Sequence, residues 1–229
     1  MVTNSVNSKP SSLNDWTYSY LKEKILNLEF KPGQQLHIED FIDELEISRT
    51  PIREAFLRLA NESLLDIKPR VGYFVSQMTI DDIRDLFEVR EMVETWATRK
   101  AAEVLSENDL VELRKLLGES TAAVNSGILD KYLEVDIEFH GYFQKHIKNK
   151  RMLEFMESIQ DLTYRERVLS LQSKENVRDT LVEHKRILEA LIDRDGNQAA
   201  WLMGEHLNNV CNRLIKHLYS EVYSDGKKL

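Results

Sequence analysis

The sequence predicts a mostly α-helical protein in two parts: a small N-terminal module with three helices and a β-hairpin, then an all-α antiparallel bundle of about six helices. Three observations lead to this fold class. The chain has only 8 Gly and 4 Pro in 229 residues, which is unusual for a turn-rich all-β protein. Apolar residues recur at helical spacing along most of the chain. No proline follows Met78, where the bundle is expected to begin.

Composition and charge limit the class of protein. Apolar residues make up 42% and charged residues 31%, a balance typical of globular proteins. No run of about 18 apolar residues occurs, so no membrane partner is expected. The polar first residues lack the apolar core of a signal peptide, and a single cysteine fits a reducing compartment, so we expect a cytoplasmic protein. The net charge of -8 carries no overall sign of nucleic-acid binding, so charge has to be examined locally.

The N-terminal module is expected over residues 16–78, after a flexible polar tail at residues 1–15. The predicted helices run from Trp16 (apolar face Leu21, Ile25, Leu28) to the Lys31-Pro32-Gly33 turn, from Ile38 to Leu45, and from Ser48 to about Asn61. Serine is a favourable first cap for the third helix. Two runs rich in β-branched and aromatic residues flank residues 68–72 and predict the hairpin.

This order of elements is that of a winged helix-turn-helix, in which the last helix enters the major groove of DNA. Positive charge is concentrated where such a module meets phosphates: residues 36–46 hold five acids and no Lys or Arg, whereas residues 47–70 hold five bases and three acids. Arg49 and Arg53 lie one helical turn apart, with Thr50 beside them, and these side chains can contact bases or phosphates. By spacing alone, a solvated helix face explains two arginines better.

The segment SRTPIREAFLRLANESLL, followed by RVGYFV, resembles the helix-turn-helix and wing of GntR-type bacterial transcription regulators. The resemblance covers about residues 16–77 and is most specific in its Ser-Arg-Thr-Pro-x-Arg-Glu-Ala core. It implies that a dimer binds a palindromic operator, with Arg49, Thr50 and Arg53 in the major groove.

In the same resemblance Gly72 lies close to DNA in the wing, and we expect Arg70 at the hairpin tip to meet phosphates. The sequence departs from the family at one position. Where many members carry a DNA-contacting Arg early in the preceding helix, this chain has Glu39.

The C-terminal domain is expected over residues 79–222, followed by a tail at 223–229. Its predicted helices are 80–104, 107–125, 128–147, 150–170, 175–193 and 196–222. Four of these helices have an apolar face that polar residues interrupt, and these residues are Arg90 in the first, Asp136 and His140 in the third, His184 in the fifth and His206 in the sixth. The pattern predicts that all five point into the bundle.

Buried carboxylate and imidazole groups without partners would cost several kcal/mol each, roughly, so they need one another, a metal or a ligand. An Asp and a His one turn apart, with two more His, form a plausible set of ligands for Zn, Ni, Mn or Fe. One buried histidine alone is more often a hydrogen-bonded core residue. Four such residues on inward faces favour a metal site. His37, His146 and His217 do not share the pattern.

The segments LFEVREMVE, DIEFH, EHKRIL and EHL resemble, in order and spacing, the FCD ligand-binding domain of the FadR-type branch of the GntR family, over roughly residues 80–218. The resemblance implies an antiparallel bundle that holds a divalent metal through Asp136, His140, His184 and His206, with a small organic acid beside or on the metal. Arg90 is the candidate for the carboxylate of that acid, because a guanidinium pairs with it through two hydrogen bonds. The alternative is a buried ion pair of Arg90 with Glu94 or Glu134.

We therefore expect a metabolite-responsive transcription regulator, a homodimer whose partners are an operator duplex and a small carboxylate effector. Two alternatives remain open. One is a metal-dependent enzyme that activates a water at the Asp/His site. The other is a regulator whose metal is purely structural. Against the enzyme, the sequence lacks a convincing general base or nucleophile, and an enzyme would not explain the N-terminal module.

Overall fold

The computed structural model describes residues 12–146, 148–171 and 174–224, with backbone only for 174, 175 and 220–224. The chain divides between Met78 and Thr79 into two compact units. Residues 1–11 and 225–229, which make up most of the two expected tails, lie outside the described residues.

The first unit has three helices and a small sheet, in the order α1 (Leu13–Leu26), β1 (Gln35–Leu36), α2 (Ile38–Leu45), α3 (Arg49–Asn61), β2 (Leu65–Lys68) and β3 (Gly72–Val75). The hairpin is confirmed: β2 and β3 pair antiparallel, with Lys68 opposite Gly72. The sequence did not predict β1, which adds to the free edge of β3 and makes a three-stranded sheet in the order β1-β3-β2. Two residues are too short a strand for a periodic signal.

Helix α1 begins and ends earlier than predicted. It begins at Leu13, within the expected tail, because the Ser12 hydroxyl caps it by accepting a hydrogen bond from the Asp15 N–H at 3.2 Å. It ends at Leu26 because Leu28, expected on its apolar face, adopts a φ of 59°. That left-handed conformation terminates a helix.

An apolar core fixes the orientation of α3. The helix buries one face against α1, α2 and the sheet, and the residues of that face are Ile52, Ala55, Phe56 and Leu59. Phe56 packs edge-on against Phe41 of α2 and Tyr73 of β3. Each fully buried large side chain contributes about 1.5–3 kcal/mol to the stability of the fold. The packing of the buried face therefore fixes the orientation of the exposed face of α3.

The tip of the hairpin is held by a side chain from β1. Gln35 donates a hydrogen bond from Nε2 to the carbonyl oxygen of Val71 at 3.0 Å. Gly72, with a φ of 142°, lies directly against this amide, and a Cβ there would be 2.8 Å from the Gln35 Nε2. A glycine is therefore needed both for the backbone conformation and for the space that Gln35 fills.

The second unit consists, within the described residues, of seven helices: α4 (Ile80–Val104), α5 (Glu107–Ser126), α6 (Leu129–Lys145), α7 (Lys150–Ser158), α8 (Gln160–Ser170), α9 (Lys174–Ile192) and α10 (Gly196–Ser224). The segment 150–170, predicted as one helix, is broken at Ile159, whose ψ of 3° departs from helical geometry. Neither Gly nor Pro marks this break, so the sequence carried no signal for it. Ile147, predicted to end the third helix, lies outside the described residues.

Two helix starts in this unit are fixed by capping boxes, formed by Thr79 with Asp82 for α4 and by Ser106 with Asp109 for α5. Helix α10 packs along α4 and α9, while α5 packs against α6 and α9. This arrangement brings the inward faces of α4, α6, α9 and α10 together. No helix among the described residues is both long and apolar enough to span a bilayer.

Replacing Gly72 by Ala is expected to lower the free energy of unfolding by about 1–3 kcal/mol, because alanine is strained at this φ and its Cβ displaces Gln35. The matched control is Gly118→Ala in α5. A Cβ there meets nothing within 4 Å, and helix propensity predicts a gain of about 0.5–1 kcal/mol. Urea unfolding monitored by circular dichroism measures both, and equal effects of the two substitutions would contradict this account of the wing.

Candidate metal centre and nucleic-acid interface

The exposed side of α3 carries the residues expected to contact DNA. Arg49, Thr50 and Arg53 are all exposed in the first half of the helix, while Pro51 and Ile52 between them are buried. The alternation follows from the helical period, since the buried face of α3 is anchored in the core. Three donor side chains therefore project from one helix end into solvent.

Arg49 forms an ion pair with Glu39 of α2, the residue at which the sequence departs from the family pattern. The side chains are 58% and 65% exposed. Ion pairs at such exposure contribute little to stability, so Arg49 can exchange Glu39 for another anion at low cost.

The wing contributes a second group of exposed donors. Lys68 and Arg70 are exposed at the hairpin tip, and Arg70 adopts a φ of 64°. Gly72 is partly buried beneath Gln35. The structure thus gives Gly72 a role in shaping the wing, in addition to the closeness to DNA that the family resemblance implies.

Three histidines meet inside the second unit. His140 of α6, His184 of α9 and His206 of α10 each offer a ring nitrogen, and these atoms lie within 4.8 Å of one another. Each residue is at most 2% exposed, as their positions on apolar faces predicted. The Nε2 atoms of His184 and His206 are 3.3 Å apart. Two nitrogens bound to one tetrahedral Zn²⁺ at ordinary bond lengths would be about 3.3–3.4 Å apart.

Carboxylates orient two of these rings. Glu94 of α4 contacts His140 Nδ1 at 2.5 Å, and Glu183 of α9 contacts His206 Nδ1 at 2.7 Å. With Nδ1 engaged, each ring turns Nε2 toward the cluster. A carboxylate on the outer nitrogen of a histidine is the arrangement commonly found behind metal-binding imidazoles. The third ring, His184, stacks on Phe139 with centroids 4.2 Å apart.

Burial keeps the imidazoles of His184 and His206 neutral. Burial and the neighbouring His206 and His140 hold the pKa of His184 well below its usual range. Burial also lowers the pKa of His206 to about 4, although Glu183 opposes that shift. At neutral pH these rings therefore present free electron pairs, which is the form that binds a metal.

The orienting carboxylates are ionised despite their burial. Burial alone would raise the pKa of Glu94, but Arg90 and His140 outweigh it and hold that pKa well below normal. In the same way, hydrogen bonds from His206 and Arg213 outweigh burial and bring the pKa of Glu183 to about 2. Both groups thus act as charged acceptors for imidazole N–H groups.

Asp136 lies beside the three-histidine group and not within it. Its Oδ1 is 3.9 Å from His184 Nε2, and its Oδ2 accepts a hydrogen bond from Arg167 of α8. Of the four predicted ligands, the structure therefore brings three together and places the fourth next to them, turned toward an arginine.

Arg90 is buried and bound at two points by carboxylates. Its Nε donates to Glu94 at 2.8 Å and its Nη1 donates to Glu166 of α8 at 2.7 Å. The alternative of a buried ion pair with Glu94 matches these hydrogen bonds. A pair with Glu134 is not formed, because that residue lies at the surface near Lys131.

A small cavity adjoins the cluster. Its volume is about 40 Å³, which is enough for on the order of three water molecules. Its walls include Asp136, His140 and His206, the apolar Leu133 and Val177, and the guanidinium groups of Arg90, Arg167 and Arg213. The cavity can therefore hold a small polar molecule next to the imidazoles.

Sequence reasoning missed Arg167, Glu183 and Arg213. Glu183 directly precedes His184 but lies off the apolar face that revealed the histidine. Helix α8 buries the consecutive residues Arg165, Glu166 and Arg167, so no period-based pattern distinguishes them. Among the remaining histidines, His146 contacts the carbonyl oxygen of Tyr142 on its own helix and takes no part in the cluster.

Comparison with known proteins agrees with both units. Residues 13–75 match the family of bacterial regulatory proteins called gntR, and residues 85–209 match the FCD domain. The chain is 28% identical to the uncharacterized HTH-type transcriptional regulator YdhC of Bacillus subtilis, over 93% of this chain and 95% of that protein. It is 26% identical to the HTH-type transcriptional repressor RspR of Escherichia coli, over 93% and 94%.

A solved structure of E. coli McbR/YncC has the same fold, with a TM-score of 0.72, 22% identity, and coverage of 90% of this chain and 99% of that one. The matched families and relatives are transcriptional regulators and not enzymes, so the enzyme alternative finds no support among them. The FCD match alone spans more than half of the chain. The protein therefore belongs to the GntR family of bacterial transcriptional regulators, and its FCD domain follows the helix-turn-helix unit along the chain.

Proposed function

We propose that the protein is a cytoplasmic, metabolite-responsive regulator that binds a palindromic operator as a homodimer and senses a small organic acid at a divalent metal. The observation that carries the sensing part is the buried group of three imidazoles, two of them backed by carboxylates. A structural core histidine needs one hydrogen-bond partner and no second imidazole. Three imidazoles whose ring nitrogens lie within 4.8 Å of one another are better explained by a metal ion that they share.

The operator contact is proposed for α3 and the wing. Arg49, Thr50 and Arg53 on the exposed side of α3 suit a helix that enters the major groove, where arginine can bind guanine with two hydrogen bonds. Arg70 at the wing tip suits phosphate contact, with Gly72 allowing the wing to approach the duplex. Thus α3 reads bases while the wing holds the backbone.

Support for a homodimer comes from exposed apolar side chains on α4 and α10. Met92 and Trp96 lie one turn apart on α4 and are 67% and 39% exposed, and Trp201 on α10 is 57% exposed. Helices α4 and α10 pack against each other, so the three side chains belong to neighbouring helices. Large exposed apolar residues on two packed helices are a common feature of interfaces.

The metal is proposed to bind His140, His184 and His206, with Asp136 as the fourth ligand. Imidazole nitrogen and carboxylate oxygen suit Zn, Ni, Mn or Fe. When bound, the ion supplies a positive centre at the wall of the cavity, which attracts an anionic ligand. The remaining alternative is a purely structural metal. It predicts that no small acid changes DNA binding.

The effector is proposed to be a small carboxylate in the cavity beside the imidazoles. Arg90 lines this cavity, and the sequence predicts that it binds the effector carboxylate. In the structure its guanidinium donates hydrogen bonds to Glu94 and Glu166. An effector that binds two arrangements of the bundle unequally shifts their populations. Because half-sites lie about 34 Å apart, a small change between the two readers of a dimer alters operator affinity.

Arg49→Ala and Arg53→Ala are each expected to weaken operator binding at least about fivefold, the lower end of the 1–3 kcal/mol typical of a base contact. Fluorescence anisotropy at fixed salt measures this with a duplex selected from a random library by the unchanged protein. Arg151→Ala on α7 is the matched control, since that arginine is exposed and forms a local ion pair with Glu154. Affinities equal to that of the control would exclude the assignment to α3.

His184→Ala and His206→Ala are expected to weaken metal binding at least about 10–100-fold, the loss typical of disturbing even the outer partners of a metal site. Plasma mass spectrometry of dialysed protein gives the metal content, and a competing chelator gives the affinity. His146→Ala removes a histidine outside the cluster and should leave both unchanged. Full occupancy in the cluster variants would refute the metal site.

Trp201→Glu and Met92→Glu are expected to shift a dimer toward monomer, because a charge in an apolar interface is costly to bury. Sedimentation velocity measures the change. Val111→Glu on α5, where the native side chain is 55% exposed but outside this face, serves as control. If the control dissociates equally, or if neither face variant does, the interface lies elsewhere.

A further inference from the structure

The carboxylate of Asp136 lies between the guanidinium of Arg167 and the imidazole of His184. Its Oδ2 accepts a hydrogen bond from Arg167, and its Oδ1 faces His184 Nε2 at 3.9 Å. The side chains of Asp136 and Arg167 are each 9% exposed, so water screens neither charge well. Two ligand atoms on one tetrahedral ion lie roughly 3.3–3.4 Å apart, so Asp136 would have to move toward His184 to join the imidazoles on a cation. That movement would stretch its hydrogen bond to Arg167.

Arg167 depends on Asp136 more than the other cavity arginines depend on any one partner. Arg90 is held by Glu94 and Glu166, and Arg213 by Glu183 and Thr180. For Arg167, Asp136 is the only hydrogen-bond acceptor within the described part of the chain.

Charge balance in this region changes sign when a divalent ion enters. Among the described residues, the charged groups that line the cavity or bond to its lining comprise three arginines and four acids: Arg90, Arg167, Arg213, Glu94, Asp136, Glu166 and Glu183. Counted over these seven groups, the formal sum is one negative charge, and a divalent cation makes it one positive charge. The ion therefore makes the cavity attractive to an anion.

We propose that the divalent cation takes Asp136 away from Arg167, and that the released guanidinium of Arg167 binds the carboxylate of the effector. This inference rests on the proposed function and assigns the carboxylate to Arg167 in place of Arg90. The metal and the acid then bind with positive cooperativity, because each stabilises the arrangement that the other requires. Linkage makes the effect reciprocal: the acid tightens metal binding by the same factor as the metal tightens acid binding.

The cavity favours a small acid. Its volume of about 40 Å³ accommodates an acid of a few heavy atoms without rearrangement. The planar fork of a guanidinium matches such a carboxylate with two parallel hydrogen bonds. Leu133 and Val177 provide an apolar wall for a methyl group or short chain. Acetate is therefore the probe of choice.

The test is a zinc titration of the full-length protein after chelator treatment, against a chromophoric competitor, with and without acetate at matched ionic strength. For the unchanged protein, acetate is expected to lower the zinc Kd at least about fivefold. In Arg167→Gln, zinc is expected to bind more tightly than in the unchanged protein without acetate, because the competing charge is gone. Acetate should then have no further effect. Arg178→Gln, an exposed arginine of α9, should behave like the unchanged protein.

A second variant separates charge from geometry and covers the case in which Arg167→Gln fails to fold. Arg167→Lys keeps the positive charge near Asp136 but loses the planar fork, so zinc affinity should stay near that of the unchanged protein while the acetate effect falls. Circular dichroism verifies the fold of each variant. An acetate effect in Arg167→Lys equal to that in the unchanged protein overturns the assignment.

Weaker zinc binding in Arg167→Gln would overturn the proposal, since Arg167 would then serve to orient Asp136 for the metal. A full acetate effect in that variant would equally remove Arg167 as the carboxylate contact. Failure of the unchanged protein to bind zinc, manganese, nickel or iron would instead refute the metal site of the proposed function. The two failures are thus distinguishable in one set of titrations.

Discussion

The second unit depends on the placement of buried carboxylates against buried imidazoles and guanidiniums. Glu94 is the centre of this arrangement, because it bonds to both Arg90 and His140. Breaking one partner of a buried charged pair leaves the other unsatisfied, which costs about 3–5 kcal/mol. The helices that carry these groups, α4, α6 and α8, are therefore constrained relative to one another by polar contacts as well as by apolar packing. That constraint fixes the position of His140, as the contact with Glu183 fixes that of His206.

The two units use charge in opposite environments. In the first unit the arginines of α3 are exposed, so their interactions are screened by water and exchangeable. In the second unit the three arginines that line the cavity, Arg90, Arg167 and Arg213, have side chains at most 18% exposed, and each is matched by a carboxylate. Four acids neutralise or orient groups there: Glu94, Asp136, Glu166 and Glu183. The net acidity of the chain thus coexists with a local concentration of exposed bases on α3 and the wing.

Much of this organisation could be predicted from the sequence. The polar residues that interrupt apolar helix faces, such as His184, predicted burial correctly, because a 3.6-residue period places every member of a face on the same side. The family motifs around Arg53 and His140 led to the two domains. The partners of the buried groups could not be predicted, since Glu183 and Arg167 lie off those faces and meet the cluster only through tertiary packing. The strand Gln35–Leu36 depends likewise on a partner distant in sequence, the strand that contains Tyr73 and Phe74.

The ion pair between Arg49 and Glu39 bears on how long the protein stays on DNA, under the contact proposed for Arg49. Any duplex has to displace Glu39 from Arg49, whether it offers a phosphate or a guanine. The pair therefore subtracts the same small amount from binding to random DNA and from binding to the operator. Selectivity is a difference between affinities, so the preference between the two is unchanged. Glu39 would thereby shorten every residence on a duplex to a similar extent.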